Sequence, residues 1–146
     1  MKTRIFLTAL GLAAIAAISG CASAPSNMVA FTTQLRGANE VPPNASSGSG
    51  SVDAAFNKDT MKLSWKVNYS GMTGNPTAGH FHGPAAVGAN SGVALGWTNP
   101  ITNGMEGGAT LTAAQTADLM AGKWYANIHT AANPGGELRG QMTVRN

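Results

Sequence analysis

Residues 50–69 read GSVDAAFNKDTMKLSWKVNY, with apolar and polar side chains alternating on either side of a short polar break. The apolar positions from Val52 to Phe56 share one face of a strand, and so do those from Met61 to Tyr69. Because successive side chains of a strand point to opposite faces, this pattern predicts two half-buried strands. The break, Asn-Lys-Asp-Thr, consists of residues that favour turns, so the whole stretch predicts a β-hairpin.

The rest of the chain predicts short strands and a single helix. Strands are predicted at 29–35, 78–82, 93–97, 124–130 and 137–145, and loops at 71–77 and 98–108. Thr112 and Gln115 have the spacing of a capping box, and Gly122 can end the helix that they begin. About seven strands and one short helix predict an all-β fold, a two-sheet β-sandwich of immunoglobulin-like or Greek-key topology.

The first 20 residues have the layout of a secretory signal. Lys2 and Arg4 precede an apolar, alanine-rich run at 5–18, which is short for a membrane-spanning helix. The run leads to Ile-Ser-Gly-Cys, which resembles the lipobox of bacterial lipoproteins, where the cysteine is lipidated and becomes the mature N-terminus. An uncleaved signal anchor is the alternative. We therefore predict a signal peptide at 1–20 and lipidation of Cys21.

Lipidation would explain why an exported chain carries one cysteine, which has no partner for an internal disulfide. Acylated Cys21 would anchor the protein to a lipid bilayer of the cell envelope. The next residue is Ala22 rather than aspartate, which by resemblance to enteric lipoproteins favours the outer membrane, on its periplasmic or its surface side. Residues 21–28 then form a short tether to a single domain at 29–146.

The mature chain is nearly neutral. The full sequence has a formal net charge of +3, with nine Lys and Arg against six Asp and Glu. Lys2 and Arg4 leave with the signal, so seven basic against six acidic residues give +1. Because the basic excess is so small, the composition argues against a nucleic-acid-binding surface.

The chain has three histidines, and all of them fall in two predicted strands. His80 and His82 flank Phe81, so their imidazoles lie on the face opposite to the phenyl ring. His129 falls on the face opposite to the apolar stripe of the other strand. That stripe consists of Trp124, Ala126 and Ile128. If Phe81 and the stripe face the core, the three imidazoles project away from it and are candidate ligands of one transition metal.

Three motifs carry a family resemblance. They are LRGANEVPP, AGHFHGPA and LMAGKWYANIHTAANPGGELRGQM, and they span residues 35–142. The mature chain thereby resembles the CHRD domain, a module named after the animal protein chordin and common in bacterial exported proteins. The resemblance implies a β-sandwich similar in style to copper–zinc superoxide dismutase, where an H-x-H pair also projects towards the metal. Most bacterial members lack an assigned activity, so the resemblance implies no reaction.

The resemblance places His80, His82 and His129 in matching family motifs, and together with the strand pattern it points to a metal site. Three neutral imidazoles can hold Cu(II) or Zn(II) and leave one position for water or a fourth protein ligand. The intrinsic affinity order favours copper, whereas metal availability in the compartment could reverse the occupancy in favour of zinc.

Glu40, Glu137 and Arg139 also fall within the family motifs. Each glutamate is a candidate for a fourth metal ligand, for a group that orients an imidazole, or for a buried ion pair. For Arg139 the ion pair or the orienting role is favoured. Tyr125 shares a face with His129 but lies four residues away, which favours packing over metal binding.

The leading functional prediction is a non-enzymatic, membrane-tethered module that binds one divalent metal in the cell envelope. An adhesion or scaffold domain with incidental histidines is the alternative of a different class. A copper-dependent redox enzyme of the superoxide dismutase type ranks third, because paired metals need more than the three histidines present. The sequence has no serine-hydrolase motif or phosphate loop that would support another reaction.

Overall fold

The computed structural model describes residues 27–145; the predicted signal peptide, Cys21 and most of the predicted tether lie outside the described residues. The strands are β1 (Met28–Arg36), β2 (Ser49–Asn57), β3 (Lys62–Ser70), β4 (Pro76–His82), β5 (Val93–Gly96), β6 (Glu106–Thr110), β7 (Tyr125–Thr130), β8 (Leu138–Gln141) and β9 (Thr143–Val144). A 3-10 turn, Gly37–Asn39, follows β1, and helix α1 (Ala113–Met120) lies between β6 and β7. The predicted all-β fold with one short helix is confirmed. Within the described part of the chain, no helix is long and apolar enough to span a membrane.

The hairpin predicted from residues 50–69 is formed by β2 and β3. The two strands pair in antiparallel register, with Phe56 opposite Leu63, and both of these side chains are buried. Asn57 fixes the turn, because its side-chain oxygen accepts hydrogen bonds from two backbone amides of the turn. The period-two pattern therefore predicted the hairpin and its buried face correctly.

All nine strands belong to one antiparallel sheet that curls around the core. The order is β5-β4-β7-β8-β1-β2-β3-β6, with β9 also paired to β1. The half built from β5, β4, β7 and β8 joins the half built from β1, β2, β3 and β6 where Arg36 of β1 pairs with Arg139 of β8. The two layers of the predicted sandwich are therefore halves of one continuous sheet.

The core lies between these two halves and is rich in aromatic rings. Trp65 of β3 meets Phe81 of β4 edge to face, with ring centroids 5.3 Å apart. Trp97 and Trp124 also contact Phe81, with centroids 5.2 and 5.7 Å away, and all four rings are buried. Large apolar rings that interlock across the layers fix which face of β4 is turned inward. The opposite face of β4 is the one that carries histidines.

Two strands were not predicted as such. The prediction of a loop at 98–108 is wrong at its C-terminal end, where β6 pairs with β3. The sequence of β6, Glu-Gly-Gly-Ala-Thr, shows no apolar alternation, because Trp65 occupies the space beside Gly107. The predicted strand at 137–145 is interrupted at Met142 and forms both β8 and β9.

Helix α1 begins as its capping box predicts. The side chain of Thr112 accepts from the Gln115 amide at 3.2 Å, and the Gln115 side chain accepts from the Thr112 amide at 2.9 Å. Gln115 also donates to the carbonyl of Ala94 on β5, and Leu119 is buried in the core. Gly122, with a φ of 69°, follows the last turn. These contacts hold a helix that is too short to be stable alone against the sheet.

Candidate metal centre

The neighbouring strands β4 and β7 carry the three histidines. In the antiparallel pairing of β4 with β7, His80 lies opposite Asn127. Asn127 is two residues before His129 in the same strand. Phe81 and Ile128 are fully buried in the core. The histidines therefore occupy the other face of the sheet, as the two-residue period predicts.

Two loops cover this second face, which is consequently only partly open to solvent. Asn90, in the loop at 83–92, donates to the carbonyl of Val41 in the loop that follows β1. Beneath these loops Tyr125 and Asn127 are buried, whereas the three imidazoles are half-buried. Sequence patterns predicted the face but not its cover, because the cover depends on contacts between loops far apart in the chain.

The three imidazoles converge on one point. One ring nitrogen from each of His80, His82 and His129 lies within 4.8 Å of the other two. His80 Nδ1 and His129 Nε2 are 3.2 Å apart, and the ring centroids of these two residues are 5.0 Å apart. The structure thus brings together three histidines that the sequence separates by up to 49 positions.

His82 is held with one nitrogen free for a ligand bond. Its Nδ1 donates to the carbonyl of Ser91 at 3.1 Å. Its Nε2 is buried and, among the described residues, has no hydrogen-bond partner. A buried polar atom without a partner is costly, and such an atom in a native fold calls for an explanation.

His129 is held in the same way by a different loop. Its Nδ1 donates to the carbonyl of Pro134 at 2.9 Å. The protonated Nδ1 leaves Nε2 as the nitrogen with a free lone pair, and this is the atom that faces His80. A backbone carbonyl on the outer nitrogen is the usual way in which proteins orient a metal-binding imidazole.

The arrangement fits a transition metal. Nitrogen ligands of a tetrahedral zinc or copper site bind at about 2.0–2.1 Å, which puts two of them about 3.3 Å apart. The His80–His129 pair, at 3.2 Å, already has this spacing. The unpartnered Nε2 of His82 would supply the third bond.

The electrostatics of the site favour neutral imidazoles. Burial lowers the pKa of His80 and of His82 below 6.5, and the neighbouring charge of His129 lowers both further. The hydrogen bond to Ser91 acts in the opposite direction on His82, but burial outweighs it. At neutral pH both rings are therefore in the deprotonated form that binds metals.

Tyr125 supports His82, a contact that the sequence reasoning missed. The two rings are parallel within 4°, with centroids 4.9 Å apart. The Tyr125 hydroxyl donates to the Ser91 carbonyl, the same acceptor that His82 uses, and accepts from the Ser91 amide, both at 3.2 Å. The sequence reasoning considered only the distance between Tyr125 and His129 along β7. Tyr125 instead contacts His82, the residue paired with it on β4.

Arg139 lies on the far side of the tyrosine ring. Its guanidinium carbon is 3.5 Å from the Tyr125 ring centroid, a cation–π contact. It donates to Asn90 Oδ1 at 2.7 Å and to the carbonyl of Ala89, which fixes the covering loop. Among the described residues, no carboxylate lies within ion-pair distance of Arg139. Its contacts thus go to an aromatic ring and a loop.

Glu40 is buried on the same face but beside Asn127 rather than beside an imidazole. Asn127 donates to Glu40 Oε1 at 2.6 Å, and Gly136 leaves room for this pair. Burial raises the pKa of Glu40 to about 7, although the charge of Arg139 and the hydrogen bonds from Asn127 and Val41 lower it. Glu40 and Arg139 both line a cleft of about 430 Å³.

Glu137 is fully buried in a separate hydroxyl-lined pocket. Its carboxylate accepts hydrogen bonds from Ser46 Oγ, from Thr73 Oγ1 and amide, and from Thr130 Oγ1, at 2.6–2.8 Å. Burial alone would raise its pKa, but these hydrogen bonds lower it to about 2. None of these contacts is to an imidazole or to Arg139, so the structure gives Glu137 the role of tying three segments of the chain together.

Comparison with known proteins gives one result for this chain. The sequence model of one family, the CHRD domain, matches residues 31–142. Neither a curated protein nor a solved structure matches the chain. The matched span runs from β1 to Met142 and includes all three histidines.

Proposed function

The chain belongs to the CHRD domain family, and from this premise we propose that it is an exported, membrane-tethered lipoprotein that binds one divalent transition metal through His80, His82 and His129. Copper is the favoured ion and zinc the alternative. The domain holds or presents this ion in the cell envelope and catalyses no reaction of its own.

One observation carries the metal-binding proposal. His82 and His129 each donate Nδ1–H to a backbone carbonyl, from Ser91 and Pro134 respectively. Both rings therefore keep Nε2 as an acceptor, and these acceptors converge with the ring of His80. Among the described residues the His80 ring donates to His129 Nε2, whereas the buried His82 Nε2 has no donor, and a cation bound between the rings would satisfy it.

The nature of the ion follows from the donor set. Imidazole nitrogen suits copper, zinc and nickel, and the affinity of a nitrogen site rises towards Cu(II) and falls again at Zn(II). Three imidazoles leave a coordination position open, which water or an incoming ligand would fill. The two buried carboxylates, Glu40 and Glu137, bond to Asn127 and to hydroxyl groups rather than to an imidazole, which favours water or an incoming ligand at the open position.

Calorimetric titration of the purified protein with Cu(II), and separately with Zn(II), tests this proposal. We expect one tight equivalent of Cu(II), with an EPR spectrum that shows hyperfine coupling to nitrogen. His82→Ala removes the buried Nε2, so we expect it to abolish tight binding. Glu106→Gln, which changes an exposed carboxylate on β6, a strand paired with neither β4 nor β7, is the control and should bind as the wild type does.

Weak, substoichiometric binding that His82→Ala does not change would contradict the metal proposal. The histidines would then be incidental, and an adhesion or scaffold role would become the better explanation.

The tether is supported by the sequence Ile-Ser-Gly-Cys at the end of the apolar run. We expect the wild-type protein to fractionate with membranes and its N-terminal peptide to carry the mass of a lipid on Cys21. Cys21→Ser should move the protein out of the membrane fraction. Equal membrane association of both proteins would contradict lipidation at this residue.

A further inference from the structure

The three histidines of the metal site are held very differently, and we propose that they divide into a fixed pair and one exchangeable ligand. In this inference, which rests on the proposed metal-binding function, His82 and His129 retain the ion. His80 leaves first, and an incoming ligand of the same chemistry, the imidazole of an acceptor molecule, takes its place. The site would thus be suited to transferring its ion to an acceptor molecule.

The fixed pair is restrained from outside the cluster. His82 is bonded to the Ser91 carbonyl and lies flat against Tyr125, whose hydroxyl is bonded to the same residue. His129 is bonded to the Pro134 carbonyl. Turning either imidazole would break its hydrogen bond to the backbone, and for His82 it would also break the ring stacking.

His80 has no such restraint. Its one hydrogen bond within the described residues goes to His129 Nε2, which is itself a proposed ligand and becomes engaged when a metal binds. In the described part of the chain, residues 27–145, no backbone carbonyl is bonded to its ring. An imidazole without a partner on its outer nitrogen is free to rotate about its side-chain bonds once its bond to the ion breaks.

The strand beside His80 leaves space for that rotation. β4 lies next to the edge strand β5, where the residue paired with His80 is Gly96. A Cβ atom at this position would lie 3.9 Å from His80 Cδ2, so the missing side chain leaves that flank of the ring open. By contrast, His82 faces Tyr125, and its Nε2 is buried.

These restraints set the order in which ligands leave. A chelated ion dissociates one bond at a time, and the ligand that loses least on rotating away leaves first. An incoming imidazole can then bind from the open flank while His82 and His129 still hold the ion. Exchange of one neutral imidazole for another changes neither the charge nor the oxidation state of the metal.

Alanine substitution of each histidine in the purified protein, followed by Cu(II) titration with and without millimolar imidazole, tests the inference. His80→Ala should keep one equivalent and lose about tenfold less affinity than His82→Ala or His129→Ala. Added imidazole should restore the affinity of His80→Ala and the nitrogen hyperfine pattern of its EPR spectrum. We expect no restoration for His82→Ala, because the vacated position is buried behind Tyr125.

Two different results would overturn different statements. If all three variants lose binding equally and imidazole restores none or all of them, the ligands are equivalent and the inference is wrong although the site exists. If the wild type itself binds no stoichiometric copper, the proposed function fails. His129→Ala provides the same comparison should His82→Ala fail to fold, and circular dichroism identifies such a failure.

Discussion

Glu137 is a buried acid that the fold keeps charged. Its two oxygens accept four hydrogen bonds, three of them from hydroxyl groups, and these lower its pKa to about 2 against the loss of solvation. Because the folded pKa lies below the ordinary value of 4.5, the folded state binds fewer protons than the unfolded chain between these values. The resulting stability is complete above pH 4.5 and is lost as the pH falls towards 2.

We predict that Glu137→Gln lowers the free energy of unfolding at pH 7 by about 3 kcal/mol, the energy that corresponds to this pKa shift. An amide cannot accept from all four donors, so one or more of them is left unsatisfied. Urea denaturation of both proteins from pH 7 to pH 2.5 measures the effect. The difference between them should shrink on acidification.

Glu106→Gln serves as the matched control, since Glu106 is exposed and pairs with Lys66 at 3.4 Å on the surface. Its substitution should change stability by well under 1 kcal/mol at any pH. A constant gap between the wild type and Glu137→Gln across the pH range would refute the linkage argument.

At the level of single residues, the sequence predicted which histidines meet but not what holds them. Residue parity in two strands was enough to put His80, His82 and His129 on one face. The carbonyls of Ser91 and Pro134 carry no signal in the sequence, because every residue has one. Tyr125 became a partner of His82 only through the pairing of β4 with β7, which is a long-range contact.

At the level of secondary structure, β6 is a strand whose sequence lacks the apolar alternation that would identify it. Gly107 lies beside Trp65, and a Cβ atom there would be 2.5 Å from two atoms of the indole ring. A Cβ atom at Gly108, the next residue, would make only an ordinary contact, 3.4 Å from the Leu63 carbonyl oxygen. The two glycines thus differ in whether the fold requires them.

We predict that Gly107→Ala destabilises the protein by about 1–3 kcal/mol, because the methyl group overpacks the contact between β6 and Trp65. Gly108→Ala should leave stability unchanged within about 0.5 kcal/mol or raise it slightly, because alanine restricts the unfolded chain. Thermal and chemical denaturation of both variants gives the comparison. Equal destabilisation by the two substitutions would show that strand propensity, and not the indole, sets the requirement.

The elements that were predicted correctly are those with a periodic or a capping signal. The β2–β3 hairpin and helix α1 both follow from a local pattern. β6 does not, because glycine provides no period, and the interruption at Met142 between β8 and β9 does not either. In both regions tertiary packing decided the local structure.

At the level of the whole molecule, the number and type of predicted strands and helices were enough to predict the class of fold. They did not predict how the two halves of the sheet are joined. An all-β chain whose strands each have one apolar face buries those faces between two layers, so the two-layer arrangement could be predicted. The continuity of the sheet depends on the pairing of Arg36 with Arg139, two residues 103 positions apart whose sequence gives no sign of it. The same pairing brings the loop after β1, with Glu40, over the metal-binding face.

That pairing also sets the direction in which the histidines would face in a membrane-anchored protein. Arg36, Arg139, Asn127 and His80 form one row across four strands, at the end of β1 opposite to Met28. Arg36 lies eight residue steps along the extended strand from Met28, a distance of about 26 Å. With the proposed lipid attached upstream of Met28, the end of the domain where β1 begins would lie nearest the bilayer. The imidazoles would lie at the opposite end, away from the bilayer surface. A diffusing acceptor could then approach from the aqueous side without contacting lipid.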